Sequence, residues 1–280
     1  MTPPQVVTGL GRQVGEPLVA HPKVGGITFT GSTTVGRKIA AIASERMARV
    51  HMELGGKNPV VVLRDADVHA AAKLIALGAF THAGQICMSS SRIIAEKCIA
   101  RPLAEALASV AKAMKLGDLR DPSTAYGPLI NEAALQKVTE HCRSALAAGA
   151  ELLAGGNVHE GLTFQPTVFF EPPRTSSVWT EETFGPVTSV VAVENLDEAI
   201  AVANESEYGL SAAILSDNLT QAVAAARRIR CGSVHIGTHS FQSDTMAPIG
   251  GFGLSSLGRS GGKYSAEHFT ELKWISINNT

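Results

Sequence analysis

Two reactive side chains lie in short glycine-containing motifs in the first third of this sequence. Cys87 lies in GQICMSS at 84–90, and Glu53 begins ELGGKNP at 53–59. A cysteine thiolate attacks electrophilic carbon and later leaves it, and a carboxylate in apolar surroundings can take a proton from water. The pair therefore predicts covalent catalysis, with Cys87 as the nucleophile and Glu53 as the general base.

Each of the two residues also has a plainer interpretation. A single cysteine is most often an inert residue of the core, and a glutamate before two glycines can be a solvated or capping carboxylate. For the other three cysteines, Cys98, Cys142 and Cys231, we keep the core interpretation. The assignment of Cys87 and Glu53 therefore depends on the motifs around them.

A glycine-rich turn, FTGSTTVG at 29–36, lies upstream of both residues. A strand that runs through such a turn into a helix directs backbone N–H groups and the positive end of the helix dipole outward, where they bind phosphate. Gly31 lets the chain approach the anion, Ser32 offers a hydroxyl, and Gly36 allows close packing of the helix on the strand. The alternative is a tight strand-to-helix connection without a ligand, because the segment lacks the full G-x-G-x-x-G pattern.

Composition and charge exclude several classes of protein. The 280 residues are 45% hydrophobic and 18% charged, with a net charge of −1, so the chain has no basic footprint for nucleic acid. No run of about 20 apolar residues predicts a membrane span. The first residues, MTPPQVVTGL, lack the basic and apolar parts of a secretory signal, and the scattered cysteines form no CxxC pair. We therefore expect a cytoplasmic protein that binds neither nucleic acid nor membrane.

The nine histidines do not predict a metal site. His235 and His239 are four residues apart, but they flank a strand end and a glycine and have no carboxylate or cysteine at ligand spacing. We expect no metal cofactor.

Short apolar runs alternate with helical patterns along the chain, which predicts an α/β fold with a mostly parallel sheet. Asp65 or Asp67 is available to cap a helix over 67–81. Pro166, inside a predicted strand at 163–170, would confine that strand to a sheet edge. The tail, FTELKWISI at 269–277, alternates in the manner of a solvent-facing or interface strand. Further strands are predicted at 24–29, 60–63, 91–95, 187–193, 210–215 and 233–236, and helices at 34–47, 102–114, 131–148, 196–204 and 219–229.

Together with the turn, the two motifs resemble the aldehyde dehydrogenase superfamily, whose signatures are a Glu-Leu-Gly-Gly segment and a Gly-Gln-x-Cys segment. EETFGP at 181–186 resembles the family's Glu-x-Phe-Gly-Pro motif, and PIGG at 248–251 with the glycine-rich loop after it resembles the family's C-terminal pattern. The motifs occur in family order. GQICMSS and the tail are most similar to the aromatic-aldehyde branch, which includes benzaldehyde, salicylaldehyde and vanillin dehydrogenases.

The resemblance implies NAD(P)-dependent oxidation of an aldehyde to a carboxylic acid through a cysteine thioester. Cys87 would attack the aldehyde, and Glu53 would activate the water that hydrolyses the thioester. Leu54 would offer its backbone carbonyl to the carboxamide of the cofactor, Glu182 would bind the nicotinamide-side ribose, and Phe184 would contact the ring region. The cofactor residues implied in this way are Gly31, Ser32, Gly36, Leu54, Glu182 and Phe184. The residues present leave NAD and NADP both open.

The family also has a long N-terminal region before its glycine turn, whereas 30 residues precede Gly31 in this sequence. The comparison predicts a chain that corresponds to the C-terminal portion of the family, assembled as a homo-oligomer. The predicted parts are a partial Rossmann-type dinucleotide-binding region at 1–55, a catalytic domain at 56–245, and a C-terminal loop and oligomerisation strand at 246–280.

Two departures from the family pattern affect the expected substrate funnel. The loop GTHSFQSDT at 237–245 differs from the usual aromatic-branch loop, and Ile249 replaces a common Phe. The identity of the aldehyde therefore stays open. Two alternative functions also stay open, a truncated and inactive remnant of the family and a cofactor-independent esterase.

Overall fold

The computed structural model describes residues 3–278 and divides them into two compact units. The first unit is formed by the described residues of Met1–Leu54, Ser243–Gly250 and Ser256–Thr280, and the second by Gly55–Gln242 and Gly251–Ser255. Glu53 lies in the first unit and Cys87 in the second.

Helices and strands alternate along most of the chain. A π-helical turn, Gly11–Gly15, precedes the first α-helix, and a 3-10 helix, Thr81–Gly84, follows the third. The α-helices are α1 Glu16–Ala20, α2 Thr33–Ser44, α3 Val68–Phe80, α4 Lys97–Ala113, α5 Glu132–Ala147, α6 Ser177–Thr180, α7 Leu196–Asn204, α8 Leu219–Ala226 and α9 Gly262–Phe269. The strands are β1 Gly26–Thr30, β2 Arg49–Glu53, β3 Asn58–Val62, β4 Ser90–Glu96, β5 Glu151–Ala154, β6 Val158–Glu160, β7 Thr163–Phe164, β8 Thr167–Phe170, β9 Val187–Val193, β10 Tyr208–Gly209, β11 Ser211–Leu215, β12 Ser233–Ile236, β13 Phe252–Gly253 and β14 Ser256–Leu257.

The second unit is built on a seven-stranded sheet with the order β12-β11-β3-β4-β9-β8-β5. Every neighbouring pair is parallel except β8 and β5, which are antiparallel. All residues of β3 and β11 are buried, as expected of central parallel strands that are covered on both faces. The predicted α/β fold with a mostly parallel sheet is confirmed.

Helices cover both faces of this sheet. Helices α3 and α4 contribute to one apolar cluster, and α7 and α8 contribute to a second cluster on the opposite face. Asp67 caps α3 by accepting a hydrogen bond from the backbone N–H of Ala70 at 2.8 Å, which confirms one of the two predicted caps. Asn131 and Asn195 cap α5 and α7 in the same way.

The first unit contains a three-stranded sheet with the order β1-β2-β14. Strand β2 is parallel to β1 and antiparallel to β14. Ile27 of β1, Val50 of β2 and Ala43 of α2 belong to a small apolar cluster on one face of the sheet. Residues alternate between the faces of a strand, so His51 and Glu53 project from the face opposite Val50.

The predicted edge strand around Pro166 is wrong. The segment is divided into β7 and β8, and Pro166 lies in the gap between them, so its missing N–H interrupts no ladder. Strand β8 pairs on both sides, with β9 and with β5.

The predicted strand in the tail is not formed within this chain. The structure assigns α9 up to Phe269 and no strand in residues 270–278. Leu272 and Trp274 are 98% and 92% exposed, so the apolar side chains of the tail are not buried by the described part of the chain.

The longest described helix, α4, has 17 residues. Within residues 3–278, no helix combines the length and the hydropathy that crossing a bilayer requires.

Candidate active site

Strand β2 positions Glu53 beside the glycine turn. The turn follows β1, which is parallel to β2 with Thr30 opposite Glu53. The backbone N–H of Gly31 donates a hydrogen bond of 3.0 Å to the backbone carbonyl of Glu53. The predicted base and the predicted phosphate turn are therefore joined through their backbones.

The side chain of Glu53 is 15% exposed and lies among polar groups of the first unit. Its Oε1 atom lies 3.0 Å from Nε2 of His51, and Ser256 of β14 forms a further hydrogen bond with it. Burial raises the pKa of the Glu53 carboxyl to about 7, although the charge of Arg259 and the bond with Ser256 act in the opposite direction. A carboxylate with this pKa can exchange protons with water near neutral pH.

The start of helix α2 has the features of an anion site. Gly31 and Ser32 are exposed, and Ser32 caps the helix by accepting a hydrogen bond from the N–H of Val35 at 3.4 Å. A Cβ atom at Gly36 would lie 2.4 Å from Cδ2 of Leu54, so only glycine allows this approach. The hydroxyl oxygen of Thr33 is buried without a partner among the described residues. These residues fit a pyrophosphate held at the helix N-terminus.

Cys87 lies in a tight loop between the 3-10 helix and β4, and it is partly buried. The backbone N–H of Ser89 donates to the carbonyl of Ile86 at 3.0 Å and closes the turn. Asn58, the first residue of β3, donates through Nδ2 to the carbonyls of Cys87 and Ser89 at 2.8 and 2.9 Å. Its Oδ1 atom accepts from the N–H of Ser211 at 3.1 Å. One buried amide therefore fixes the backbone of the cysteine loop to the central sheet.

A second buried side chain, Ser240, also contacts the cysteine loop. Its hydroxyl donates to the carbonyl of Met88 at 2.6 Å and lies 2.8 Å from Oγ of Ser90. The hydroxyl of Ser211 donates to the carbonyl of Ser240 at 2.5 Å. These bonds join residues 237–242, part of the predicted substrate funnel, to the segment that carries Cys87.

The segment EETFGP packs against the chain immediately before Cys87. A Cβ atom at Gly84 would lie 2.1 Å from the carbonyl oxygen of Gly185. Phe184 is 39% exposed and adopts a φ of 55°, which is uncommon for a residue with a side chain. Gly84, Ile86, Glu182 and Phe184 line one small cleft. The predicted nucleophile loop and these two predicted cofactor residues are thus brought together within the second unit.

Glu182 is held by the segment that follows the predicted base. Its Oε1 atom accepts a hydrogen bond from the N–H of Gly56 at 3.0 Å. Burial raises the pKa of the carboxyl, whereas the bond from Gly56 and the charges of Lys137 and Lys57 lower it. Lys57 itself is fully buried, and this burial lowers its pKa to about 7.

Three side chains at these sites were not singled out for these contacts in the sequence. Asn58 lies in the ELGGKNP motif, Ser240 in the loop at 237–245 and His51 among the nine histidines, and no sequence pattern gave any of them a role at the site. A polar residue at the start of a buried strand needs hydrogen-bond partners, so the position of Asn58 in the sequence predicts contacts of this kind. His51 alternates with Glu53 in β2, so it lies on the same face of the strand.

The remaining cysteines differ from one another. Cys142 and Cys231 are buried, and burial raises the pKa of each thiol to about 12. Cys98 is exposed in α4, so the core interpretation is wrong for this residue, which lies on the outer side of an amphipathic helix.

No group of three or more histidine, cysteine, aspartate or glutamate side chains in residues 3–278 is arranged to hold a metal ion.

The sequence also matches proteins of known function. The sequence profile of the aldehyde dehydrogenase family matches residues 4–275. Benzaldehyde dehydrogenase [NAD(+)] of Pseudomonas putida is 40% identical over 268 residues, and vanillin dehydrogenase of Pseudomonas fluorescens is 38% identical over 267 residues. Each alignment covers 95% of this chain and 55% of the relative, so the chain spans about half the length of the relatives it matches.

Solved structures have the same fold. The crystal structure of an NAD-dependent aldehyde dehydrogenase from Sinorhizobium meliloti superposes with a TM-score of 0.92 and 39% identity, over 95% of this chain and 53% of that one. The matched profile covers nearly the whole sequence. The chain belongs to the aldehyde dehydrogenase family.

Proposed function

We propose that this chain carries the catalytic nucleophile and base for NAD(P)-dependent oxidation of an aldehyde to a carboxylic acid. The observation that carries the proposal is the Asn58 amide, which holds the loop of Cys87 by two hydrogen bonds. Fixing the carbonyls of Cys87 and Ser89 restricts the backbone conformations of the loop, and so the position of the Cα atom that carries the Cys87 side chain.

In the proposed reaction, the thiolate of Cys87 forms a C–S bond with the carbonyl carbon of the aldehyde. A bound nicotinamide would supply the acceptor for the hydride that leaves this carbon. The product on Cys87 is a thioester. Glu53 then takes a proton from water as the water attacks the thioester carbon, the C–S bond breaks, and the carboxylate is released.

The cofactor residues are proposed on their local geometry. Gly31, Ser32 and Gly36 at the start of α2 would hold the pyrophosphate, and Leu54 would offer its backbone carbonyl to the carboxamide. In the second unit, Glu182 would bind ribose hydroxyls and Phe184 would contact the ring region. The hydrogen bond from Gly56 supports the role of Glu182, because it fixes one of the two carboxylate oxygens. NAD and NADP are both compatible with these residues.

An aromatic aldehyde is the substrate class we propose. Two relatives at about 40% identity carry the names benzaldehyde dehydrogenase and vanillin dehydrogenase. Within this chain, the proposal is supported by an aromatic ring near the cysteine loop. The ring centroids of Phe241 and His239 lie 4.1 Å apart, and Ser240 between them in the sequence contacts that loop.

We also propose a homo-oligomer in which the tail of one chain lies on a second copy. The support is the alternating apolar tail, whose side chains are exposed in this chain, Ile275 at 74% and Ile277 at 82%. Replacing Trp274 with Asp should shift the mass measured by light scattering towards the monomer. An unchanged mass would contradict the role of the tail.

The test of the function is production of NADH or NADPH, followed at 340 nm, from benzaldehyde and the purified chain. Turnover that is lost in Cys87→Ala and kept in the exposed control Cys98→Ala would support the proposal. A folded chain without turnover would favour the inactive alternative. Hydrolysis of a nitrophenyl ester that depends on Cys87 but not on the cofactor, without aldehyde oxidation, would favour the esterase.

A further inference from the structure

The carboxylate of Glu53 has a partner on its own strand that the proposed reaction does not use. His51 is 4% exposed at its side chain, and its Nε2 atom lies 3.0 Å from Oε1 of Glu53. The two residues are two positions apart in β2 and therefore share a face of the sheet. The alternation of side chains along β2 therefore places the two side chains next to each other.

The other ring nitrogen of His51 is also occupied. Its Nδ1 atom lies 3.0 Å from the hydroxyl oxygen of Thr28, which is directly opposite His51 in β1. A threonine hydroxyl can donate to Nδ1, and a neutral imidazole that accepts there carries its proton on Nε2. That proton points at the carboxylate of Glu53.

We propose that His51 is a positioning residue for Glu53, held by Thr28 in the tautomer that donates a hydrogen bond to the carboxylate. This inference rests on the proposed role of Glu53 as the base. The Thr28–His51–Glu53 chain of hydrogen bonds orients one carboxylate oxygen and stabilises the ionised form, which is the form that accepts a proton from water.

Burial and the neighbouring charges both favour the neutral imidazole. Burial lowers the pKa of His51, and the charges of His268 and Arg259 act in the same direction. The ring of His268 packs edge-on against His51 at 5.8 Å and bonds through Nε2 to the carbonyl of Val50 at 3.0 Å. Arg49, on the same face of β2, donates to the carbonyls of His268 and Thr270 and pairs with Glu271.

Among the described residues, three groups act directly on the carboxyl of Glu53. Arg259 contributes a positive charge, Ser256 a hydroxyl, and His51 an N–H donor. His51 donates to the carboxylate only in the tautomer that carries its proton on Nε2. Removing that donor should disfavour the ionised carboxylate, and restoring an N–H at the same place should recover it.

The test is titration of Glu53 by NMR in the full chain labelled with [δ-13C]glutamate, with the signal assigned by its loss in Glu53→Gln. His51→Phe should raise the apparent pKa of Glu53 by about one unit or more, because a hydrogen bond to a charged group is lost. His51→Gln, whose side-chain amide can donate from a similar position, should return it to within about half a unit of the parent value.

A second pair of variants, at Thr28, tests the tautomer and leaves His51 unchanged. Thr28→Val should move the pKa of Glu53 upward by a smaller amount, and Thr28→Ser, which keeps a hydroxyl, should not move it. A pKa of Glu53 that is unchanged or lower in both His51→Phe and Thr28→Val would overturn the proposal. This readout needs no turnover, so it distinguishes failure of the His51 role from failure of the proposed enzyme activity.

Discussion

The side-chain amide of Asn58 and the backbone carbonyl of Cys87 are joined by a hydrogen bond of 2.8 Å. The amide belongs to the first residue of a central, buried strand, whereas the carbonyl belongs to the loop that carries the proposed nucleophile. The buried central strand therefore helps to fix the backbone of Cys87, the proposed nucleophile, through a side chain with no reactive group of its own.

Replacing Asn58 should destabilise the protein because three backbone groups, two of them in buried bonds and one in a partly buried bond, lose their partner. Asn58→Ala should lower the free energy of unfolding by about 2–4 kcal/mol, the cost of leaving buried polar groups unsatisfied. Asn58→Asp should be at least as harmful, since a carboxylate would face the carbonyls of Cys87 and Ser89.

Urea denaturation measures both effects. The matched control is Asn157→Ala, an exposed asparagine whose replacement should change stability by less than about 0.5 kcal/mol. An Asn58→Ala protein as stable as the control would show that the amide does not hold the loop.

Replacing Gly84 should separate the cysteine loop from the segment that carries Glu182 and Phe184. Gly84 has a φ of +67°, and its Cβ would lie 2.1 Å from the carbonyl oxygen of Gly185, so alanine adds a backbone clash to conformational strain. Gly84→Ala should lower the free energy of unfolding by at least about 3 kcal/mol.

Gly161 is the matched control for this substitution. Its φ of +53° is close to that of Gly84, but nothing lies within 4 Å of its Cβ position. Gly161→Ala should therefore cost about 1–2 kcal/mol from strain alone. Equal losses of stability in the two variants, measured by thermal or urea unfolding, would contradict the close packing at Gly84.

The raised pKa of Glu53 predicts a dependence of stability on pH. The folded carboxyl has a pKa of about 7 against an ordinary value of 4.5, so between these values the folded chain holds a proton that the unfolded chain releases. The contribution of Glu53 to stability therefore falls as pH rises through this window, by up to about 3 kcal/mol.

Glu53→Gln removes this contribution. The free energy of unfolding of Glu53→Gln minus that of the parent should be larger at pH 8 than at pH 5, as measured by urea unfolding at both pH values. The control is Glu267→Gln at an exposed position of α9. Its free energy of unfolding should differ from that of the parent by the same amount at pH 5 and at pH 8. A pH-independent difference for Glu53→Gln would mean that burial does not perturb this carboxyl.

Local signals in the sequence predicted much of the fold. Alternating apolar runs predicted the parallel strands, and an aspartate before an alanine-rich run predicted the cap of α3, because these features depend on neighbours within a few residues. Pro166 misled the interpretation, since its position relative to the strand ends was not visible from composition. The exposed position of Cys98 was missed because the true start of α4 lies at Lys97, five residues before the predicted one.

The candidate site was predictable only in part. The motifs predicted roles for Glu53, Cys87 and Glu182, but the contacts of Asn58 with the cysteine loop and of Ser240 with Met88 join residues that are distant in the sequence. Such contacts follow from the order of strands in the sheet. His51 is the exception, because its relation to Glu53 follows from the alternation of a single strand.

The central claim is that Cys87 forms a thioester that Glu53 helps to hydrolyse. The most direct measurement is mass spectrometry of the Glu53→Gln chain after incubation with benzaldehyde and NAD+ or NADP+ and an acid quench. We predict a benzoyl group on the peptide that contains Cys87, accumulating because hydrolysis is slowed, and absent from Cys87→Ala. No acyl group, or an acyl group attached to a different residue, would contradict the account.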